Sequence, residues 1–542
     1  MTARDPEVMP APQRLAGQPA APGLVLGRIV EIDPIPAHRI HSPSGPPRET
    51  LAAAIAEAVR QLESLRDCTD DAEARKILEF QIEFLADPAL LEPAERQFAE
   101  GLDASRAWCT AIGAQIADFE AADDDYFRHR VGDLRDMRAR VLAILGGEQL
   151  APLQLPLDAI LLADDLAPSR FLAADWKPQQ AIVLRQGSAT AHVALLARAR
   201  RVPMVVGVGD APIVSGCTAI LDGTAGTLEL SPDAAQLEAY ALRRARADAE
   251  RERDAGAAAR PAATRSGERV QVLLNVSTID ELDTIDPAIC DGIGLVRTEL
   301  LFAHGPPDEP TQIAFYRRLL AWAGHRPVVI RTLDAGGDKP IPGVTIDGES
   351  HPFLGVRGVR LSLAAPEVFK VQLRALLSVA VAGNLRIMLP MITAPSEVVQ
   401  VRALLAQAAT ELAAERRPFA NPPLGIMVEV PAAALALDTF DIDFASIGSN
   451  DLMQYTMAVA RDNRAVSELA DPAHPGFDAL LRMIVRSATA RGLSLSLCGD
   501  LAAQPRRVPG LLAAGLRALS MPAASVGAVK GAIAAWPPSV AE

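Results

Sequence analysis

Beyond Arg269 the chain repeats one pattern eight times: a short apolar run, then a stretch with helical periodicity. The runs are 270–277, 292–299, 327–334, 385–392, 425–432, 444–451, 493–500 and 518–525. Most are apolar through the middle, as strands covered on both faces must be. Antiparallel strands with one wet face would alternate instead, so the pattern calls for parallel strands joined by helical crossovers. Eight such units match a closed (β/α)8 barrel of TIM type, expected over residues 264–535.

The N-terminal half is built differently. Residues 1–16 are Pro- and Ala-rich and are expected to be a flexible tail. Short apolar runs at 24–31, 159–166, 181–187, 203–209, 218–223 and 227–230 predict a small α/β domain over 17–47 and 148–232, with one helix from Ala194 to Arg201. Between its two parts, 48–147 carries apolar residues at i, i+3, i+4 and i+7, as in LAAAIAEAVRQLESLRD. That period predicts an inserted helical bundle. A charged, Ala-rich helix at 234–254 and a small-residue stretch after it form an expected linker over 233–263. The fold class is therefore a multidomain α/β protein, in which an α/β domain with a helical insert precedes a barrel.

Composition removes several functions. Among 542 residues there is no apolar run of the roughly 20 that a membrane span needs. The start of the chain carries no secretory signal, and five scattered cysteines suit a reducing cytoplasm better than a disulfide framework. A formal charge of −14 with no dense basic cluster argues against nucleic-acid binding.

The polar residues of the barrel strands gather at their C-terminal ends: Arg297 and Glu299, Arg331 and Asp334, Glu429, Asn450 and Asp451, Cys498 and Asp500. Any one of them could simply mark a strand-to-loop transition. Two arginines, several carboxylates and a thiol sharing the end where barrels build active sites point to an anionic ligand and a divalent metal. Arg297 and Arg331 can clamp a phosphate or carboxylate bidentately, and Glu429 and Asp451 are hard oxygen donors suited to Mg2+. Lys339, one of only five lysines, follows the Gly336–Gly337 turn as a point charge. Cys498 sits at a strand end beside Gly499, where a thiol can serve as acid or nucleophile.

A second centre lies in Gly187-Ser-Ala-Thr-Ala-His192, where a small-residue loop leads into a helix. His192 then stands at a helix N-terminus, whose free N–H groups and dipole stabilise an anion such as a phosphate carried on the ring. The other seven histidines show no metal-ligand spacing.

Together these motifs resemble enzyme I of the bacterial phosphotransferase system, the phosphoenolpyruvate (PEP)–protein phosphotransferases, over about 17–530. The most specific block is 443–461, DFASIGSNDLMQYTMAVAR, similar to the PEP-site signature of that family. GIGLVRTELLF (292–302), RTLDAGGDK (331–339), PFLGVRGVR (352–360), IMVEVPAA (426–433) and LCGDLA (497–502) follow the family's order, and 124–142 resembles its carrier-binding subdomain. The resemblance implies a swivelling phosphohistidine domain and autophosphorylation of His192 by PEP. Transfer to a histidine of the carrier HPr, with release of pyruvate, would be the first step of sugar uptake. It implies Arg297 and Arg331 on the phosphoryl group, Asn450 and Arg461 on the rest of PEP, and Mg2+ on Glu429 and Asp451. Cys498 becomes the proton donor, and Arg357 and Lys339 supporting cations.

It also implies a cytoplasmic homodimer joined through the barrel, with HPr acting in trans. Ala191 departs from the family's usual Ser, Ala460 from a common acid, and Asp500 from a common Glu. A pyruvate phosphate dikinase or PEP synthase would need an ATP-binding domain where the helical bundle stands. A PEP-sensing module without turnover is encouraged only by Ala191.

Overall fold

The computed structural model describes residues 12–32, 46–69, 72–90, 92–121, 125–147, 153–189, 191–303, 305–337, 341–346, 348–460 and 466–537. The chain divides into two compact units, Met1–Ala247 and Asp248–Glu542.

The first unit opens with β1 (Gln13–Ala16), β2 (Gln18–Ala21) and β3 (Leu24–Glu31), continues through α1 (Pro47–Asp67), α2 (Ala72–Ala86), α3 (Glu92–Ala99), α4 (Ala104–Ala121) and α5 (Asp125–Leu145), and returns to sheet at β4 (Ala159–Ala163). Then come α6 (Pro168–Ala173), β5 (Ala181–Leu184), α7 (His192–Ala199), β6 (Met204–Val206), β7 (Thr218–Asp222) and β8 (Thr227–Leu230). The strands form one sheet in the order β1-β8-β7-β3-β4-β5-β6-β2. The β3-β4-β5-β6 core is parallel, and the pairs toward both edges are antiparallel.

Every residue of β4 (AILLA) and β5 (AIVL) is buried, because both faces are covered. Alternation divides them: Leu161, Ala163, Ile182 and Leu184 face the helices, including the insert's Trp108 and Leu134. Ile160, Leu162, Ala181 and Val183 pack on the other face with Val25, Ile29 and Leu221. The helical insert thus shares its core with one face of the sheet.

Two sequence expectations are corrected here. Gln13–Ala16, placed in the tail, pairs antiparallel with β8; it was hidden because an exposed edge strand of four residues carries no apolar run. The helix expected from Ala194 begins two residues earlier, which puts His192 on its first turn, and Arg201 leaves it in the left-handed region (φ +56°).

α8 (Ala234–Ala258) is longer than the expected 234–254 and buries no residue completely. Its N-terminal part belongs to the first unit, where Tyr240 Oη accepts from Leu26 N–H at 3.3 Å and Arg243 pairs with Asp222. Its C-terminal part belongs to the second unit. There Lys530 Nζ donates to the carbonyls of Ala258 and Arg260, each at 2.7 Å, and holds the helix end.

The second unit is an all-parallel closed barrel, β9 (Gln271–Val276), β10 (Ile293–Val296), β11 (Val328–Arg331), β12 (Leu385–Leu389), β13 (Leu424–Val428), β14 (Phe444–Gly448), β15 (Ser494–Cys498) and β16 (Ala518–Met521). The connections carry α9 (Glu309–Ala323), α10 (Val359–Ala364), α11 (Pro366–Val379), α12 (Pro395–Ala414), α13 (Pro431–Leu435), α14 (Ser449–Met457), α15 (Pro475–Ala490) and α16 (Val508–Ala513), with α17 (Val526–Ala535) after β16. All eight strands fall on the eight apolar runs and are shorter than them, with β13 starting one residue early at Leu424. Leu295, Val329, Met388, Met427, Phe444 and Cys498 pack together as one internal cluster. No helix among the described residues is long and apolar enough to cross a membrane.

Leu161 lies wholly inside the core shared by sheet and insert. Leu161→Ala should destabilise the first unit by about 2–5 kcal/mol. Amide exchange in β4 and β5 should then quicken by at least about tenfold, and unchanged exchange would contradict this packing.

Candidate functional site

In the first unit, α7 begins at His192 behind Ala191, whose methyl group gives the helix no side-chain cap. Gly187, at φ +95°, turns the approaching loop; Thr190 lies outside the described residues. His192 Nδ1 lies 3.2 Å from Asp133 Oδ1 and 3.0 Å from Asp133 Oδ2. Asp133 comes from α5 in the insert, is fully buried, and also accepts from Arg130 Nη1 at 3.2 Å. The His192 side chain keeps 18% exposure, so the ring is held on one edge and still reached by solvent.

One turn along the same face of α5, buried Asp136 accepts from Ser169 N–H at 3.0 Å and from Ser169 Oγ at 2.8 Å. Ser169 is the second residue of α6, which likewise has no cap side chain of its own at Ala167. Arg140, a further turn on, donates to Ser169 Oγ at 2.6 Å and to Gln61 Oε1 at 2.8 Å.

In the second unit the strand ends converge on a cavity of about 240 Å3, lined by Arg297, Arg331, Glu429, Ser449, Asn450, Asp451 and Cys498, among others. Six of the residues singled out from the sequence therefore share one space. Arg357 stands behind it, without exposed surface. Lys339 and Arg461 lie outside the described residues.

The cavity is held by charge. Arg331, last residue of β11, pairs with Glu299 and places Nη1 3.1 Å from Asp334 Oδ2. Arg357 donates Nε and Nη2 to the two oxygens of Asp334, both at 3.0 Å, and Nη2 to Asp451 Oδ2 at 3.1 Å. Burial opposes the charge on both guanidiniums. Glu299 and Asp334 on Arg331, and Asp334 and Asp451 on Arg357, outweigh it and hold both firmly cationic. Arg331 Nε is buried without a hydrogen-bond partner among the described residues, a donor still to be satisfied.

Glu429 follows β13, is 1% exposed, and accepts from Met391 N–H at 2.7 Å. Met391 reaches it from a left-handed backbone (φ +56°), and a Cβ on Gly358 would lie 2.7 Å from Met391 Cβ. Burial, then Asp451 and Asp334, push the Glu429 carboxyl up to about 8, against the pull of Arg331. A carboxylate so short of positive charge suits a cation. Glu429 and Asp451 both line the cavity, yet the described residues hold no cluster of three His, Cys, Asp or Glu placed as a metal site. The residues thus fit a hard divalent ion that takes its remaining oxygens from substrate and water, the usual habit of Mg2+.

The sequence pattern placed Asn450 and Asp451 at the end of a strand. They lie instead in the first turn of α14, because the chain turns at Gly448. A Cβ there would come 2.9 Å from Glu429 Oε2, so the closeness of the two carboxylate-bearing segments leaves room only for glycine. Ser449 Oγ donates to the Cys498 carbonyl at 2.8 Å, and Asn450 Oδ1 accepts from Asp500 N–H at 2.9 Å. The shorter Asp500 still reaches Asn450, accepting from Nδ2 at 3.2 Å. Cys498 Sγ donates to the Ile447 carbonyl at 3.3 Å, and burial pushes the thiol up to about 11. It is therefore a protonated thiol at neutral pH.

Sequence reasoning named Glu299 and Asp334 as strand-end polar residues but gave them no part, and it passed over Asp133 and Met391. The one signal for Asp133 was its i, i+3 spacing from Asp136; Met391 left none.

Three family models match the chain: PEP-utilising enzyme, N-terminal, over residues 16–130; PEP-utilising enzyme, mobile domain, over 155–226; and PEP-utilising enzyme, PEP-binding domain, over 251–536. The chain belongs to the PEP-utilising enzymes. It is 35% identical to the phosphoenolpyruvate-protein phosphotransferase of Geobacillus stearothermophilus, over 88% of this chain and 84% of that protein. It is also 35% identical to a multiphosphoryl transfer protein of Escherichia coli O6:H1, over 96% of this chain, and spans 64% of that relative's length. A solution structure of an enzyme I protein covers 43% of this chain and 99% of its own, at 24% identity and a TM-score of 0.34.

The raised Glu429 carboxyl sets a pH dependence. Its folded value, about 8, lies above the ordinary 4.5, so the folded state binds the extra proton. Its contribution is fully present below 4.5 and is lost as pH rises to about 8. In metal-free buffer the barrel unit should lose stability across that window, and Glu429→Gln should flatten the loss. A wild-type stability that rises through the window would contradict the assignment.

Proposed function

We propose that the protein takes the phosphoryl group of phosphoenolpyruvate onto His192, releases pyruvate, and passes the group to a histidine of an HPr-type phosphocarrier. The observation that carries the reading is the single cavity in which Arg297, Arg331, Glu429, Asn450, Asp451 and Cys498 meet. Phosphoryl transfer asks a protein mainly for positioning and charge neutralisation, which is what this cavity offers.

Arg297 and Arg331 bind the phosphoryl oxygens, with Arg331 already fixed by Glu299 and Asp334. Asn450 orients the remainder of the substrate, and Arg461 takes its carboxylate. Arg357 and Lys339 add positive charge around the phosphate. Mg2+ on Glu429 and Asp451 would supply neutralisation of phosphate charge when bound. The Cys498 thiol gives its proton to the methylene carbon of enolpyruvate as a C–H bond forms, leaving pyruvate and a thiolate that is reprotonated from solvent. Ketonisation removes the nucleophile that could take the phosphoryl group back, which drives the transfer forward.

His192 belongs to the unit before α8 and the cavity to the unit after it. The first unit must then present His192 to the barrel mouth and afterwards to the carrier, with α8 and the linker at 233–263 as the turning segment. The domain limits read from the sequence, with Gln13–Ala16 moved from the tail into the sheet, a barrel-mediated homodimer, a cytoplasmic location and service to sugar uptake belong to the same reading.

Incubation with labelled PEP and Mg2+ should place acid-labile phosphate on the wild type and none on His192→Ala. Label persisting in His192→Ala, or absent from wild type as in a PEP sensor, contradicts the reading. In Cys498→Ala, the phosphohistidine should still form and exchange slowly, while pyruvate release falls by about tenfold or more. Unchanged pyruvate release removes Cys498 from the reaction.

A further inference from the structure

The residue that governs His192 comes from the helical insert. We infer that Asp133 is a positioning residue which holds the Nδ1–H tautomer of His192 and leaves Nε2 as the atom that accepts and gives up the phosphoryl group. The inference rests on the reading that His192 carries the phosphoryl group.

The geometry supports it in three ways. An ionised carboxylate can only accept, so the contact between His192 Nδ1 and both oxygens of Asp133, at 3.0 and 3.2 Å, puts the ring proton on Nδ1. Asp133 is fully buried, and Arg130 Nη1 at 3.2 Å keeps its charge compensated, so it cannot swing away into water. Arg130 is itself fixed, its guanidinium carbon 4.3 Å from the centre of the Phe80 ring.

No other described residue makes a hydrogen bond to the ring, and Ala191 offers no hydroxyl to do so. A histidine whose tautomer were left to solvent would spend part of its time with Nε2 protonated and unable to attack phosphorus.

The placement on α5 explains why the insert matters to chemistry as well as to docking. Asp133 and Asp136 lie one turn apart and each serves the first turn of a helix that has no cap of its own, Asp133 at α7 and Asp136 at α6. Asp136 is therefore the natural control: it shares the helix, the burial and the docking of insert to sheet, but it does not touch the ring.

The proton balance is simple. When Nε2 bonds to phosphorus, the Nδ1 proton stays beside Asp133. When the carrier's imidazole attacks that phosphorus, the Nε2–P bond breaks and His192 leaves as a neutral ring with its Nδ1 proton in place. A phosphohistidine without that proton would have to leave as an imidazolate, a far poorer leaving group.

The test compares full-length wild type, Asp133→Asn, Asp133→Leu and Asp136→Asn, with the histidine ring nitrogens labelled with 15N. The ring spectra report the tautomer of His192 before any PEP is added, so this readout does not depend on the proposed reaction. Rapid-quench transfer from the phosphorylated protein to an HPr-type carrier reports the consequence. Asp133→Leu should populate the Nε2–H tautomer and slow transfer by at least about tenfold, with Asp133→Asn between it and wild type.

Asp136→Asn should lower the melting temperature and keep the wild-type tautomer. A wild-type tautomer in Asp133→Leu overturns the inference, as does the same tautomer change in Asp136→Asn. If His192 takes no label from PEP in wild type while the tautomer still depends on Asp133, the function fails and the positioning role stands.

Discussion

A single buried carboxylate organises the mouth of the barrel. Asp334 is bound bidentately by Arg357 and approached by Arg331, and it carries no exposed surface. Buried guanidiniums in this setting are tolerable only if paired, and removing one partner would leave an uncompensated charge. Arg331 is thereby held rigid at the cavity wall, and Arg357 is drawn onto Asp451. The backbone follows the charges: Gly358 and the left-handed Met391 close together so that Met391 N–H can meet Glu429. What remains unbalanced is Glu429, held between two other carboxylates and one arginine. Among the described residues the site thus leaves the Glu429 carboxylate without an ion pair beside an arginine-lined wall.

The first unit solves a related problem by other means. The helix openings at α6 and α7 begin with alanine before the first turn, so neither can cap itself. From one face of α5 the helical insert supplies Asp136 as the acceptor for the Ser169 N–H of α6, and Asp133 for the ring of His192 at the start of α7. An insert that shares a core with the sheet on its apolar side also supplies the acid that the histidine leans on. Its dependence on the sheet is therefore chemical as well as hydrophobic.

The barrel was legible because parallel strands must be apolar throughout, and eight such runs are hard to produce otherwise. Their ends were read too long, since Arg297, Asp334 and Glu429 continue each run as polar residues after the ladder has stopped. Asn450 and Asp451 were placed on a strand because nothing local marks the turn at Gly448 as forced by the nearness of Glu429. β1 and β2 escaped notice because QRLA and QPAA are short, partly exposed edge strands stabilised by partners more than a hundred residues away. The arginines, the two metal-fitting carboxylates and the thiol were recoverable from residue type and strand-end position alone. Met391 was not, and Asp133 showed only its spacing from Asp136, because their roles arise from contacts across 38 and 59 positions of chain.

On the proposed function, the barrel mouth recognises the phosphoryl end of phosphoenolpyruvate through its arginines. Titration calorimetry of phosphoenolpyruvate with Mg2+ into the wild type, Arg297→Ala and Cys498→Ala tests it most directly. The wild type should bind, Cys498→Ala should keep affinity within a few-fold, and Arg297→Ala should lose at least about tenfold, the scale of a charged hydrogen bond. Equal affinity in wild type and Arg297→Ala would contradict it.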